Sequence, residues 1–78
     1  MWQKYCWQDN GKIIGLYNYQ DKDEQCFFEF EIIGGNINKL VFCSVGEWNS
    51  RWQKYFREKE MVGIGEMLRI DKILWPDK

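Results

Sequence analysis

The chain has 78 residues, and 11 Lys and Arg against 12 Asp and Glu give it a formal net charge of −1. Histidine is absent, which excludes Ser–His and Cys–His nucleophile pairs and zinc sites of the Cys₂His₂ type. The charge balance excludes a protein that is basic over its whole surface, and this length allows one compact domain. We therefore expect a single small domain at 1–78 that is not an enzyme and binds no cofactor and no metal.

The three cysteines, Cys6, Cys26 and Cys43, include no Cys-x-x-Cys pair, so they form neither a zinc site nor a disulfide framework. Residues 1–5 lack the apolar core of a signal peptide, and no apolar run approaches the roughly 20 residues of a membrane span. We expect a cytoplasmic protein with free thiols and no membrane contact. Buried cysteines that act as small apolar side chains are favoured over a reactive thiol, which needs exposure and a positive neighbour.

The first half of the sequence predicts an antiparallel meander of four strands. Asn10-Gly11 between two β-favouring segments is a strong hairpin signal. Further turns are predicted in the polar stretch 21–24 and at Gly34-Gly35-Asn36. The four predicted strands are 2–8, 12–20, 25–33 and 39–45.

The pattern then changes to a helical period. One face of a helix, with the spacing i, i+4, i+7, i+8 and i+11, consists of Trp48, Trp52, Tyr55, Phe56 and Lys59, and its four rings form an aromatic stripe. Two capping boxes, Ser44-x-x-Glu47 and Ser50-x-x-Gln53, compete for the start of the helix. We place this amphipathic helix at about 48–58.

One or two strands are predicted after the helix. Apolar residues of one parity in 61–70 predict a fifth strand, and 73–75 is either a short closing strand or a packed tail. The predicted fold class is α+β, with the sheet curled around one helix. Over 12–75 this order resembles in outline the OB-fold, a small barrel that binds single-stranded nucleic acids and oligosaccharides.

The aromatic residues make up 18 % of the chain and are its most unusual feature. Six of them are expected to form a core between the helix and the sheet: Trp48, Trp52, Tyr55, Phe56, Phe28 and Phe30. Four others have no evident interior place, namely Trp7, Tyr17, Tyr19 and Trp75, and Trp2 and Tyr5 near the start of the chain add to them. Exposed Trp and Tyr serve as anchors of protein interfaces or as stacking platforms for bases, although a small curved sheet also uses such rings to cover both of its faces.

The charged residues offer weaker candidates. Arg51, Lys54 and Arg57 lie on one helix face, either as an ordinary solvated face or as a positive patch that steers an acidic partner or contacts phosphates. Glu29 and Glu31 are expected to pair with basic residues on neighbouring strands. The acidic cluster in 21–24 is interpreted as a solvated hairpin tip, because it lacks the spacing of a calcium loop.

Two functional hypotheses follow. The first is a non-enzymatic binding or regulatory protein that contacts another protein, or a second copy of itself, through exposed rings and an unpaired strand edge. Its small size and mild acidity are similar to those of inhibitors and adaptors of phages and mobile elements. The alternative is an OB-like protein that binds single-stranded nucleic acid, against which the net charge argues weakly.

Overall fold

The computed structural model describes residues 2–22 and 25–76. Its elements in chain order are β1 (Trp2–Asp9), β2 (Lys12–Gln20), β3 (Gln25–Ile33), β4 (Asn36–Cys43), α1 (Val45–Glu58) and α2 (Ile64–Leu74). The strands form one sheet in the order β1-β2-β3-β4, and every neighbouring pair is antiparallel. The predicted α+β class and the four-stranded meander are confirmed.

Two-residue turns set the register of the first and last hairpins. Asn10 and Gly11 have φ values of 51° and 80°, and Gly34 and Gly35 have values of 58° and 81°. Positive φ at both central residues is the geometry of the turn that matches the right-handed twist of a hairpin. Because the second of these turns uses only two residues, β4 begins at Asn36 rather than at the predicted residue 39.

The first of the two capping boxes starts α1. The Glu47 backbone N–H donates to Ser44 Oγ (3.2 Å), and the Ser44 backbone N–H donates to Glu47 Oε1 (3.3 Å). The hydroxyl of Ser50 instead donates to the Gly46 carbonyl within the helix. The predicted helix is confirmed, but it begins at Val45, three residues before position 48. The fourth strand therefore ends at Cys43 rather than at the predicted residue 45.

The predicted fifth strand is wrong, because most of 61–70 belongs to α2. The spacing of its apolar residues fits both a strand and a helix. In the helix, Met67, Ile70 and Leu74 lie on the side that packs against the sheet. Leu68, which the strand pattern placed on the buried face, is 59 % exposed. The segment contains good helix formers such as Glu66 and Met67, so local propensity supports the helix. Residues 73–75 form the last turn of α2 and a packed tail, and the sheet remains open rather than closing into an OB-like barrel.

Each face of the sheet is covered by one helix. The cluster on the α1 face contains Trp7, Ile14, Leu16, Phe27, Trp48 and Trp52. The cluster on the α2 face contains Cys6, Ile13, Tyr17, Phe28, Phe30, Ile32 and Ile70. The sheet therefore lies between two helices, instead of curling around one.

This arrangement corrects one predicted contact. Phe28 and Phe30 lie on the α2 face, so they do not meet the aromatic stripe of α1. Phe27 takes that place, and its ring centroid lies 5.4 Å from that of Trp48. Within the stripe, Trp48 and Trp52 are buried in the core, as predicted, whereas Phe56 is 41 % exposed.

The chain between the two helices passes the outer edge of β1. The Val62 backbone N–H donates to the Cys6 carbonyl (2.9 Å), and Val62 packs against the α2-face cluster. The Cys6 carbonyl, which points away from the sheet, thus has a hydrogen-bond partner, and the outer edge of β1 is partly covered.

Asp9 holds the end of α1 against the first hairpin. Its carboxylate accepts hydrogen bonds from Lys59 Nζ (3.1 Å) and from the Tyr55 hydroxyl (3.2 Å). The hydrogen bond from Lys59 holds the pKa of Asp9 below its ordinary value of 3.8, against the opposing effect of desolvation.

The close packing of β2 against β3 gives a first prediction. A Cβ added at Gly15 would lie 2.0 Å from Phe30 Cζ, at a buried ring with little room to move. We expect Gly15→Ala to lower the free energy of unfolding by about 1–3 kcal/mol, the usual cost of overpacking. Gly65→Ala is the control, because a Cβ there meets nothing within 4 Å. Urea denaturation measures both; equal midpoints for the two variants would contradict the packing.

The Asp9 contacts give a pH-dependent prediction. A carboxyl whose pKa is lowered by folding stabilises the protein above its unfolded pKa, and this stabilisation is lost as the pH falls through its folded pKa. We expect Asp9→Asn to unfold more easily than wild type at neutral pH, and we expect the difference to vanish as the pH falls below the ordinary value of 3.8. Thermal melts across this range measure it, with Asp21→Asn in an exposed turn as the control of equal charge change. A difference that persists at low pH would argue against the ion pair.

Candidate functional site

The four predicted anchor rings do not form an exposed surface. Trp7 and Tyr17 are both 0 % exposed, and Tyr19 and Trp75 are half-buried. The expectation that Trp7 and Tyr17 are exposed is therefore wrong, because a second helix covers the face on which Tyr17 lies and α1 covers Trp7. Enclosed rings contact neither a partner protein nor an unpaired base in this conformation.

Trp2, Tyr17 and Trp75 instead form an aromatic cluster on the α2 face. The rings of Tyr17 and Trp75 stack, with centroids 5.6 Å apart and planes at 29°, and Trp2 packs on Trp75 at 5.7 Å. Trp2 and Trp75 line an open groove of about 430 Å³, whose polar wall includes Lys4 and Asp71.

A polar network lies under that groove. Asp71 accepts hydrogen bonds from the Tyr17 hydroxyl (2.8 Å) and from Lys4 Nζ (2.7 Å). Burial, followed by the hydrogen bond to Asp71, raises the pKa of Tyr17 well above its ordinary value, so the phenol stays protonated. Burial also raises the pKa of the neighbouring Cys6 thiol to about 12. Cys6 is thus the small buried side chain that was expected, whereas Cys26 and Cys43 are half-buried. None of these three cysteines forms a disulfide.

The basic residues of α1 are partly described. Lys54 and Arg57 are exposed, and Lys54 Nζ lies 5.4 Å from the centroid of the Tyr55 ring; the side chain of Arg51 lies outside the described structure. Their role in steering an acidic partner stays a prediction.

Two residues of the acidic cluster, Asp23 and Glu24, also lie outside the described residues.

Glu29 and Glu31 form the expected pairs between strands. Glu31 lies 3.0 Å from Lys12 Nζ, and Glu29 lies 3.6 Å from Lys39 Nζ. Glu29 is only 1 % exposed and also accepts a hydrogen bond from Trp52 Nε1 (3.0 Å), which connects α1 to β3. Glu29 therefore has a structural role, because it links β3 to α1 and to β4.

An exposed apolar surface lies on β4, the last strand of the sheet. Ile37, Leu40, Val41 and Phe42 are 42 %, 54 %, 40 % and 79 % exposed, and we call these four residues the β4 edge. Apolar residues at successive positions predicted a strand here but gave no sign of this exposure. The exposure follows from the position of β4 in the sheet, since no strand in the described structure pairs with its outer side.

An apolar groove adjoins the β4 edge on the α2 face. We call it the β4 groove; it encloses about 250 Å³ and is lined by Trp2, Cys26, Phe28, Leu40, Val41, Phe42, Leu74 and Trp75. The C-terminal end of α2 forms one wall, and the side chains of β4 form the other. The groove is mainly apolar and is smaller than common ligand pockets, which enclose roughly 300–1,000 Å³.

The described residues contain no cluster of three or more His, Cys, Asp or Glu that is placed to hold a metal ion. Within 2–22 and 25–76, no helix has the length and apolar character needed to cross a membrane.

Tyr17 gives a prediction that separates a structural role from a binding role. Tyr17→Phe removes the hydroxyl that donates to Asp71, and hydrogen bonds to charged groups are worth roughly 1.5–3 kcal/mol. Because Asp71 is partly exposed, we expect a loss at or below about 1.5 kcal/mol in the free energy of unfolding. Tyr19→Phe, at a half-buried ring, should lose less. Chemical denaturation measures both, and equal stability of Tyr17→Phe and wild type would argue against the network.

Comparisons with known proteins give no match, whether against protein-family models, curated proteins or solved structures. The function of this chain is therefore argued from the surface and the groove described above.

Proposed function

We propose that this chain is a small binding protein, without catalytic activity of its own, that acts as an inhibitor or adaptor by contacting another protein chain. The single observation that carries the proposal is the β4 edge, four exposed apolar side chains on a strand whose outer side pairs with no other strand in the described structure. Three cysteines without a disulfide suit a reducing compartment, so action in the cytoplasm is part of the proposal.

The composition of β4 supports this proposal. Natural proteins protect free strand edges with charged residues, proline or bulges. β4 has no proline and one charged residue, Lys39. The Nζ of Lys39 lies 3.6 Å from the carboxylate of Glu29 on the neighbouring strand β3. A bulge at Glu31/Ile32 disturbs the pairing only near the Asn36 end of the strand. The stretch from Leu40 to Phe42 therefore lacks such protection, and its outward backbone groups are offered for pairing.

An extended segment of a partner can bind such an edge by strand addition. Main-chain hydrogen bonds would give affinity, and the β4 groove would give specificity by accepting one apolar side chain. Exposed apolar patches of this kind on small proteins commonly mark interaction sites.

Photo-crosslinking tests this function. p-Benzoylphenylalanine at position 42 keeps an aromatic ring at the most exposed residue of the β4 edge. We expect irradiation of cells that express this variant to yield a crosslinked protein product, which mass spectrometry assigns by peptide. The product should be lost when Leu40→Lys is added, because a charge then occupies the edge.

The control carries the same photoreactive residue at Ile64, which is 82 % exposed at the start of α2 and follows two residues after Val62, the residue that bonds to Cys6 of β1. If position 42 gives no protein product, or gives the same products as position 64, the proposal that β4 binds a protein chain fails.

A further inference from the structure

We infer that the segment bound by the β4 edge is the β4 edge of a second copy of this chain. The two copies pair antiparallel about a two-fold axis normal to the sheet, with Val41 opposite Val41, and their sheets join into one of eight strands. This inference rests on the proposed function, since it names the partner of the same surface.

The backbone of β4 is arranged for this pairing. Facing residues of antiparallel strands alternate between hydrogen-bonded and non-hydrogen-bonded pairs. The two-residue turn makes Ile33 and Asn36 a bonded pair, and the alternation along β3 then makes Glu29 and Val41 another. The N–H and C=O groups of Leu40 and Phe42 consequently point away from β3, towards the free edge. With Val41 on the axis, these groups meet those of Phe42 and Leu40 of the second copy.

The side chains are compatible with the same register. A two-fold axis normal to the sheet keeps each face continuous, so residues of equal parity must oppose one another. Leu40 then faces Phe42 of the second copy on the α2 face, and Val41 faces its own copy on the α1 face. Lys39 faces Cys43, whereas an axis through Lys39 would place two like charges opposite each other, which is unfavourable.

The edge also carries a protruding ring and a groove that receives it. Phe42 is 79 % exposed, and Leu40 forms part of the wall of the β4 groove. In this register the ring of Phe42 from each copy lies next to Leu40 of the other, at the mouth of the groove. Such reciprocity is the defining property of an interface between identical copies, in which residue i contacts j and j contacts i.

The surface available is sufficient for a weak dimer. The exposed side chains of the β4 edge and their backbone give an interface near the lower limit for specific association, which is on the order of 1,000 Å². The net charge of −1 gives little repulsion between copies. We therefore expect a dissociation constant in the micromolar range rather than the nanomolar range.

Sedimentation of the full chain tests this inference. We expect wild type to change from monomer to dimer between low and high micromolar concentration. Phe42→Lys should raise the dissociation constant about tenfold or more, because it puts a charge at the centre of the interface. Ile64→Lys is the matched control, with the same added charge at an equally exposed apolar residue, and it should leave the dissociation constant unchanged. Circular dichroism confirms that both variants are folded.

A disulfide tests the register. Facing residues in a non-hydrogen-bonded pair have Cα atoms about 4.5 Å apart, which suits a disulfide. In a chain that also carries Cys26→Ser and Cys43→Ser, Val41→Cys should form a covalent dimer with oxidised glutathione. Gln53→Cys, an exposed position on α1, should not.

The outcomes separate this inference from the proposed function. A wild-type chain that stays monomeric at all concentrations, or a dimer that Phe42→Lys leaves intact, overturns self-pairing. If in that case photo-crosslinking at position 42 still gives a product with a different protein, the proposed function stands with another partner. If neither experiment detects a protein at the β4 edge, both fail.

Discussion

The structure depends on one constraint: a four-stranded sheet that must be covered on both faces by a chain of only 78 residues. The central strands β2 and β3 therefore supply large side chains to both sides, and these pack against Trp48 and Trp52 of α1 and Ile70 of α2. A small domain buries a modest fraction of its surface, so large rings supply much of its stabilisation. This is why 18 % of the residues are aromatic, and why most of these rings are structural rather than available to a partner.

Covering both faces also makes the two edges of the sheet different. The helices follow one another in the sequence, so the chain must pass from one face to the other, and it does so at β1, where Val62 bonds to Cys6. No described segment plays this part at β4, whose apolar side chains stay exposed. The path of the connection, more than any single residue, leaves one edge open, and the proposed interaction follows from that asymmetry.

The polar groups that an aromatic core encloses are satisfied unevenly. Trp52 Nε1 donates to the buried Glu29, and the Tyr17 hydroxyl donates to Asp71. The indole N–H groups of Trp7 and Trp48 are buried without a hydrogen-bond partner in the described part of the chain, at a cost of about 1–3 kcal/mol each. The core thus gives up hydrogen bonds in favour of ring packing.

The sequence by itself determined the meander, because Asn10-Gly11 and Gly34-Gly35 allow the positive φ values of tight hairpin turns, and it determined α1 through a stripe that fits only a helical period. It left α2 undecided, because its apolar residues fit both a strand and a helix; contact of Met67 and Ile70 with the bare face of the sheet decided between them. The candidate site was predicted least well. Trp7, Tyr17 and Phe42 have similar strand contexts, and only the positions of two helices and the order of four strands bury the first two and expose the third. The exposure of a side chain depends on which other elements pack against it in the fold. The pattern of residues along the sequence does not specify those tertiary contacts.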